Sequence, residues 1–87
     1  MGYVHRSRDE RLVVQCRPKD RSEIRMRVYT LRGARIWEEV RSGTPEETVT
    51  FAWHGTDSAG SPVAAGLYVV GITGGGVHAT RRVALIR

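Results

Sequence analysis

The residues whose types come closest to a catalytic or metal-binding set are His54, Asp57 and Ser58. A histidine and an aspartate three residues apart can share a metal ion, but two ligands do not complete a site, and His5 and His78 have no spacing relation to them. Asp57 and Ser58 do not resemble a nucleophilic triad, because no histidine is placed to act as a base and no strand-to-helix elbow presents the serine. We therefore expect no enzyme activity, no metal and no cofactor, and interpret this stretch as a structural turn.

A run of three glycines at residues 74–76 invites comparison with a phosphate-binding loop. Such a loop needs a lysine followed by serine or threonine, and then a helix whose N-terminus faces the anion. The sequence after Gly76 offers neither feature. We interpret the glycines as a hairpin turn that leads into a final strand.

The single cysteine, Cys16, excludes a disulfide within the chain. It ends the apolar run of residues 12–16, where a free cysteine usually serves as a small buried hydrophobic residue. That is the interpretation we favour. A reactive or intermolecular thiol is the alternative.

Arginines dominate one predicted hairpin, with the aromatic residues Tyr29 and Trp37 interleaved among them. Aromatic rings beside cations can engage nucleic acid or an acidic polysaccharide, although solvated arginines that cover aromatic faces give the same pattern. The residues of this candidate anionic-partner surface are Arg25, Arg27, Arg32, Arg35 and Trp37.

The chain has 87 residues and a net charge of +5, and 13 of its 14 basic residues are arginine. Its length predicts one small domain that buries about 60% of its unfolded surface. Residues 1–10 have almost no apolar content and are expected to form a flexible basic arm, whereas residues 11–87 form the domain. No apolar run is long enough to span a membrane, and the first residues lack the apolar core of a signal peptide.

Short strands alternate with turn-forming residues along the chain. Residues 11–17 read as a first strand, and Ile24, Met26 and Val28 alternate with Arg25 and Arg27 in a second. In the next strand, the pattern places Ile36 and Val40 toward the core and Trp37 on the opposite side. With the later strands, this predicts an all-β fold, an antiparallel sandwich of six or seven strands.

The most informative stretch, residues 53–68, joins two apolar strands through a loop of turn residues. Trp53 shares the apolar face of the strand before the loop, and residues 67–72 read as a strand buried on both sides. Asp57 and Gly60 are typical of a turn in which the aspartate bonds its own backbone and the glycine has positive φ. We expect Gly66 to permit a close backbone approach and the Tyr68 hydroxyl to bond loop backbone.

This stretch resembles the immunoglobulin-like C-terminal modules of the flagellar hook-capping protein and of many secreted bacterial proteins, including the type IX secretion sorting domain. The family pattern is Trp-Asp-Gly-x-Asp-x-x-Gly-x-x-x-x-x-Gly-x-Tyr, and His54 replaces its first aspartate. The similarity extends to residues 28–33, where Gly33 follows a strand, and to residues 81–87. The matching motif residues are Gly33, Trp53, Gly55, Asp57, Gly60, Gly66 and Tyr68.

The resemblance implies a non-catalytic immunoglobulin-like module that acts in sorting, attachment or assembly, with a parent chain or secretion machinery as its protein partner. It also implies an extracellular or cell-surface location at the end of a longer secreted protein; a chain complete as given would be cytoplasmic. The alternative function is a small basic module that binds nucleic acid or another anionic polymer through the Arg25 to Arg35 hairpin. Self-association through edge strands is a further expectation, because apolar runs lie near both chain ends.

Overall fold

The computed structural model describes residues 11–86 and shows six β-strands and no helix within that range. The expected arm at residues 1–10 lies outside the described residues. The strands form two antiparallel sheets, one of order β1-β4 and one of order β3-β2-β5-β6. Their bounds are β1 Leu12–Cys16, β2 Ser22–Thr30, β3 Arg35–Gly43, β4 Val49–Trp53, β5 Gly66–Gly74 and β6 Val77–Leu85. The predicted all-β sandwich is confirmed.

The core lies between the two sheets, and among residues 11–86 no polar or charged residue is buried in it. On β2 the alternation expected from the sequence holds, since Ile24, Met26 and Val28 are fully buried while Arg25 and Arg27 face the other way. Because successive side chains of a strand point to opposite faces, every second residue supplies the core. The buried hydrophobic residues are Leu12, Val14, Cys16, Ile24, Met26, Val28, Val49, Phe51, Trp53, Tyr68, Val70, Ile72, Val83 and Leu85.

The predicted orientation of β3 was wrong for two residues. Val28 pairs with Trp37, whereas its neighbour Tyr29 pairs with Arg35, so Ile36 is an extra residue in a β-bulge. The extra residue reverses the side-chain alternation: Trp37 packs against the core and Val40 is 41% exposed. Ile36 also packs against the core, as expected.

The strand β5 is buried on one side and not on both. Tyr68, Val70 and Ile72 lie in the core, but Val69 is only half-buried and Leu67 is 51% exposed. β5 is nevertheless an inner strand, paired with β2 on one side and β6 on the other. Its apolar residues on the second face therefore contribute to an accessible surface, which we call the outer face of the four-stranded sheet.

The glycine run closes the β5-β6 hairpin. Gly75 and Gly76 are the two residues between the strands, and their φ values of 59° and 78° fit the two-residue turn that matches strand twist. The amide of Lys19 donates a hydrogen bond of 2.7 Å to the Gly75 carbonyl. The hairpin interpretation of this run is confirmed.

Candidate functional site

The loop between β4 and β5 is organised by the Asp57 carboxylate. Its Oδ1 atom accepts hydrogen bonds from the backbone amides of Ala59 and Ser61, both at 3.0 Å. The amide of Gly60 donates to the Asp57 carbonyl at 2.9 Å, with Gly60 at a φ of 88°. The predicted turn is confirmed. The Asp57 carboxylate, which the sequence analysis considered as a metal ligand, accepts hydrogen bonds from the loop backbone.

The two aromatic residues that flank this loop hold it to the core. The rings of Trp53 and Tyr68 meet edge to face, with centroids 5.5 Å apart. The indole Nε1 of Trp53 donates a 2.7 Å hydrogen bond to the Thr56 carbonyl, and the Tyr68 hydroxyl donates to the Ala64 carbonyl. Both predictions, a buried Trp53 and a tyrosine bonded to loop backbone, are confirmed.

The other two residues of the loop that could take part in chemistry are Ser58 and His54. Ser58 docks the loop on β3, because its amide and its hydroxyl both donate to the Ile36 carbonyl, at 2.9 Å and 3.2 Å. His54 is exposed. Among residues 11–86, no group of three or more histidine, cysteine, aspartate or glutamate residues is placed to hold a metal ion.

The motif glycines have different structural roles. Gly33 has a φ of 94°, which confirms the predicted left-handed turn. The reason proposed for Gly66 was wrong, because a Cβ atom there would meet nothing within 4 Å; its φ of 152° is what disfavours a side chain. Gly55 is buried, and its carbonyl accepts a 2.9 Å hydrogen bond from the Val63 amide.

The arginines of the β2-β3 hairpin converge on one carboxylate. Glu38 Oε2 lies 2.7 Å from Arg27 Nε and 3.2 Å from Arg25 Nη1, and Glu38 Oε1 lies 3.8 Å from Arg35 Nη1. The hydrogen bond from Arg27 and the positive charges around it lower the pKa of Glu38, and the same bond raises the pKa of Arg27. One carboxylate thus contacts three guanidinium groups, and its single negative charge neutralises only one of their three positive charges.

Two members of the predicted arginine surface lie apart from this cluster. Because of the bulge at Ile36, Trp37 packs against the core and does not join Tyr29 on this surface. Arg32 lies in the exposed turn between β2 and β3. The structure therefore brings together Arg25, Arg27 and Arg35, but not the whole predicted set.

Strand register adds residues that the sequence analysis missed. Three rows cross the outer face in the strand order β3, β2, β5, β6, and Arg82 shares a row with Tyr29 although 53 positions separate them. The only sequence signal for Arg82 was its place in a basic run, which does not specify a face. The rows are Arg35-Tyr29-Val69-Arg82, Glu38-Arg27-Gly71-Thr80 and Val40-Arg25-Thr73-His78.

Cys16 lies in β1 and is only 7% exposed. Burial raises the pKa of its thiol, which disfavours the reactive thiolate. The interpretation as a small buried hydrophobic residue is confirmed.

Two open depressions lie on the remaining surface of residues 11–86. One depression of about 510 Å³ lies beside residues 41–42 and 47–50, and another of about 440 Å³ lies beside residues 21–23 and 42–44. Neither is lined by a histidine or cysteine. Within residues 11–86 there is no helix with the length and apolar character needed to cross a membrane.

Comparison with known proteins identifies no relative. No family model matches the chain, and neither a curated protein nor a solved structure matches it.

Proposed function

We propose that this chain is a non-catalytic interaction module, of the immunoglobulin-like kind that closes many secreted bacterial proteins and acts in sorting, attachment or assembly. The observation that carries the proposal is the hydrogen bonding of the β4-β5 loop. Asp57, Trp53 and Tyr68, the most distinctive residues of the resemblance, all bond to backbone of that loop. Residues used in this way build a scaffold, so the function belongs to the surface that the scaffold presents.

The alternative, an anionic-polymer binder that uses the Arg25 to Arg35 hairpin, has less support. Glu38 lies among three of its arginines, and Trp37 packs against the core. Of the two aromatic residues of this hairpin, Tyr29 alone lies beside the cluster. Steep loss of heparin retention with added salt, at an affinity typical of nucleic-acid binders, would favour this alternative.

A localisation experiment tests the leading proposal. A reporter protein that carries an export signal is expressed in a bacterium with the full chain fused after it, and a matched reporter lacks the chain. We expect the fused reporter to be held at the cell surface and the unfused one to be released. A fusion with Trp53→Ala should behave like the unfused reporter, because the scaffold no longer folds. Identical distribution of the fused and unfused reporters would contradict the proposal.

A further inference from the structure

The outer face of the four-stranded sheet has an unbalanced positive charge. Its three rows contain four arginines and one glutamate, which gives 4 − 1 = +3 with His78 neutral. Glu23 lies one row farther along β2, toward the end of the face. Arg82 is exposed and forms no ion pair with another residue of the range 11–86.

The same face has an apolar strip along β5. Leu67 is 51% exposed, and Val69 lies between Tyr29 on β2 and Arg82 on β6. The next position along the strip is Gly71, which leaves the face shallow there; the Tyr29 ring is 3.9 Å from where a Cβ atom would stand. The strip is therefore an apolar surface with Arg82 on one side and Arg27 and Arg35 on the other.

From this arrangement we propose that the outer face binds an acidic segment of a partner protein, in which carboxylates alternate with apolar side chains. Such a segment places apolar side chains on Leu67 and Val69. Its carboxylates reach Arg82 on one side and Arg27 or Arg35 on the other. Guanidinium groups bind carboxylates through paired hydrogen bonds, and Glu38 shows that arginines of this face adopt positions suited to a carboxylate.

A protein segment fits this face better than a nucleic acid does. Single-stranded nucleic acids bind sequence-tolerant surfaces by stacking successive bases on aromatic rings. The three rows contain a single aromatic residue, Tyr29. A nucleic acid bound through its phosphates would leave Leu67 and Val69 without an apolar contact. The inference rests on the proposed function, since it names the surface and the partner class of the interaction module.

The test uses a fluorescently labelled peptide of alternating glutamate and leucine, with polyglutamate and a thymidine oligonucleotide as competing probes. The peptide's binding to the full chain is followed by fluorescence anisotropy. We expect the alternating peptide to bind more tightly than polyglutamate, and Arg82→Glu to weaken it by at least about tenfold, as expected for charge-assisted hydrogen bonds. Leu67→Ser should weaken the alternating peptide and leave polyglutamate binding unchanged.

The matched control is Arg81→Glu, which changes the net charge equally on the same strand. Arg81 pairs with Val70, a core residue, so its side chain lies on the opposite side of the sheet. Thermal melts verify that each variant is folded. Equal weakening by Arg81→Glu and Arg82→Glu would overturn the proposal in favour of general charge attraction, and tighter binding of the oligonucleotide would overturn it in favour of nucleic acid. If the wild-type chain does not bind the alternating peptide while its fused reporter is still held at the cell surface, the proposal for this surface is refuted and the proposed function stands.

Discussion

The β4-β5 loop and the outer face of the four-stranded sheet differ in where their polar groups are directed. In the loop, the Asp57 carboxylate, the Trp53 indole and the Tyr68 hydroxyl all bond to nearby backbone. On the outer face, Glu38 is paired with arginines, but Arg82 is exposed to solvent. The three polar groups of the loop region are thus satisfied within the protein, whereas the face presents charged groups to solvent.

Residue type alone therefore does not show which side chains of so small a domain are left accessible to solvent. The loop has the histidine, aspartate and serine that first suggest chemistry, yet its side chains stabilise a turn. The three rows of the outer face contain four arginines, one tyrosine, one glutamate and one histidine, together with valines, threonines and a glycine. The proposed role of this face depends on register across four strands, which brings Arg35 and Arg82 into one row.

The strongest way to separate the two regions is to remove the tryptophan beneath the loop. Trp53→Ala should destabilise the domain by about 3 to 5 kcal/mol, because it opens a cavity in the core. That is comparable with the whole stability of a small domain, so the variant should be largely unfolded.

Trp37→Ala is the matched control, since Trp37 is only partly buried at the edge of the core. Its cost should be clearly smaller, and circular-dichroism melts measure both. A cooperative melt of Trp53→Ala near the wild-type temperature would show that the loop does not depend on this ring.

A smaller effect is expected when the carboxylate that organises the loop is removed. Asp57→Ala loses two hydrogen bonds to backbone amides and should cost about 2 kcal/mol of unfolding free energy. Asp20→Ala makes the same chemical change at an exposed position, where the carboxylate accepts a hydrogen bond from the Ser22 hydroxyl and not from loop backbone, and it should cost less than about 1 kcal/mol. Urea unfolding measures the two costs. Equal costs would show that the hydrogen bonds of Asp57 to loop backbone do not contribute to the stability of the fold.

The sequence predicted the loop well because its determinants are local. Asp57 and Gly60 are three residues apart, and their turn chemistry does not depend on the rest of the chain. The outer face depends on strand pairing, and the bulge at Ile36 changed the direction of Trp37 and Val40. Strict alternation cannot reveal an inserted residue, so one bulge was enough to misassign part of the candidate surface.

Gly33, in the turn between β2 and β3, allows the cost of backbone strain to be measured alone, because an added Cβ atom would make no contact. A Cβ atom on Gly33 would meet nothing within 4 Å, so Gly33→Ala should cost about 1 to 2 kcal/mol through its φ of 94° alone. Gly71→Ala, on the outer face, has no positive φ and meets only the Tyr29 ring at contact distance. It should cost less in chemical denaturation, and the reverse order would refute the strain argument.

The smallest effect on stability should come from Glu38→Gln. This variant should be slightly less stable than the wild type but bind the acidic peptide more tightly. Because its neighbours lower its pKa below the ordinary value of 4.5, the folded state favours the charged form. That contribution is present above pH 4.5 and is lost as the pH falls through the lowered value. Glu38→Gln should therefore be slightly less stable than the wild type at neutral pH, and the difference should shrink on acidification.

The same substitution leaves Arg25, Arg27 and Arg35 without their counter-charge, so the alternating acidic peptide should bind Glu38→Gln more tightly. Glu46→Gln removes an equal charge from the exposed β3-β4 connection and should change binding much less. Matched urea titrations across the acidic range and anisotropy at neutral pH give the two readouts. A Glu38→Gln variant that gains affinity for the peptide while losing stability would show that Glu38 belongs to a surface available to a partner. A Glu38→Gln variant that bound the peptide less tightly would instead show that the carboxylate positions the arginines for the partner.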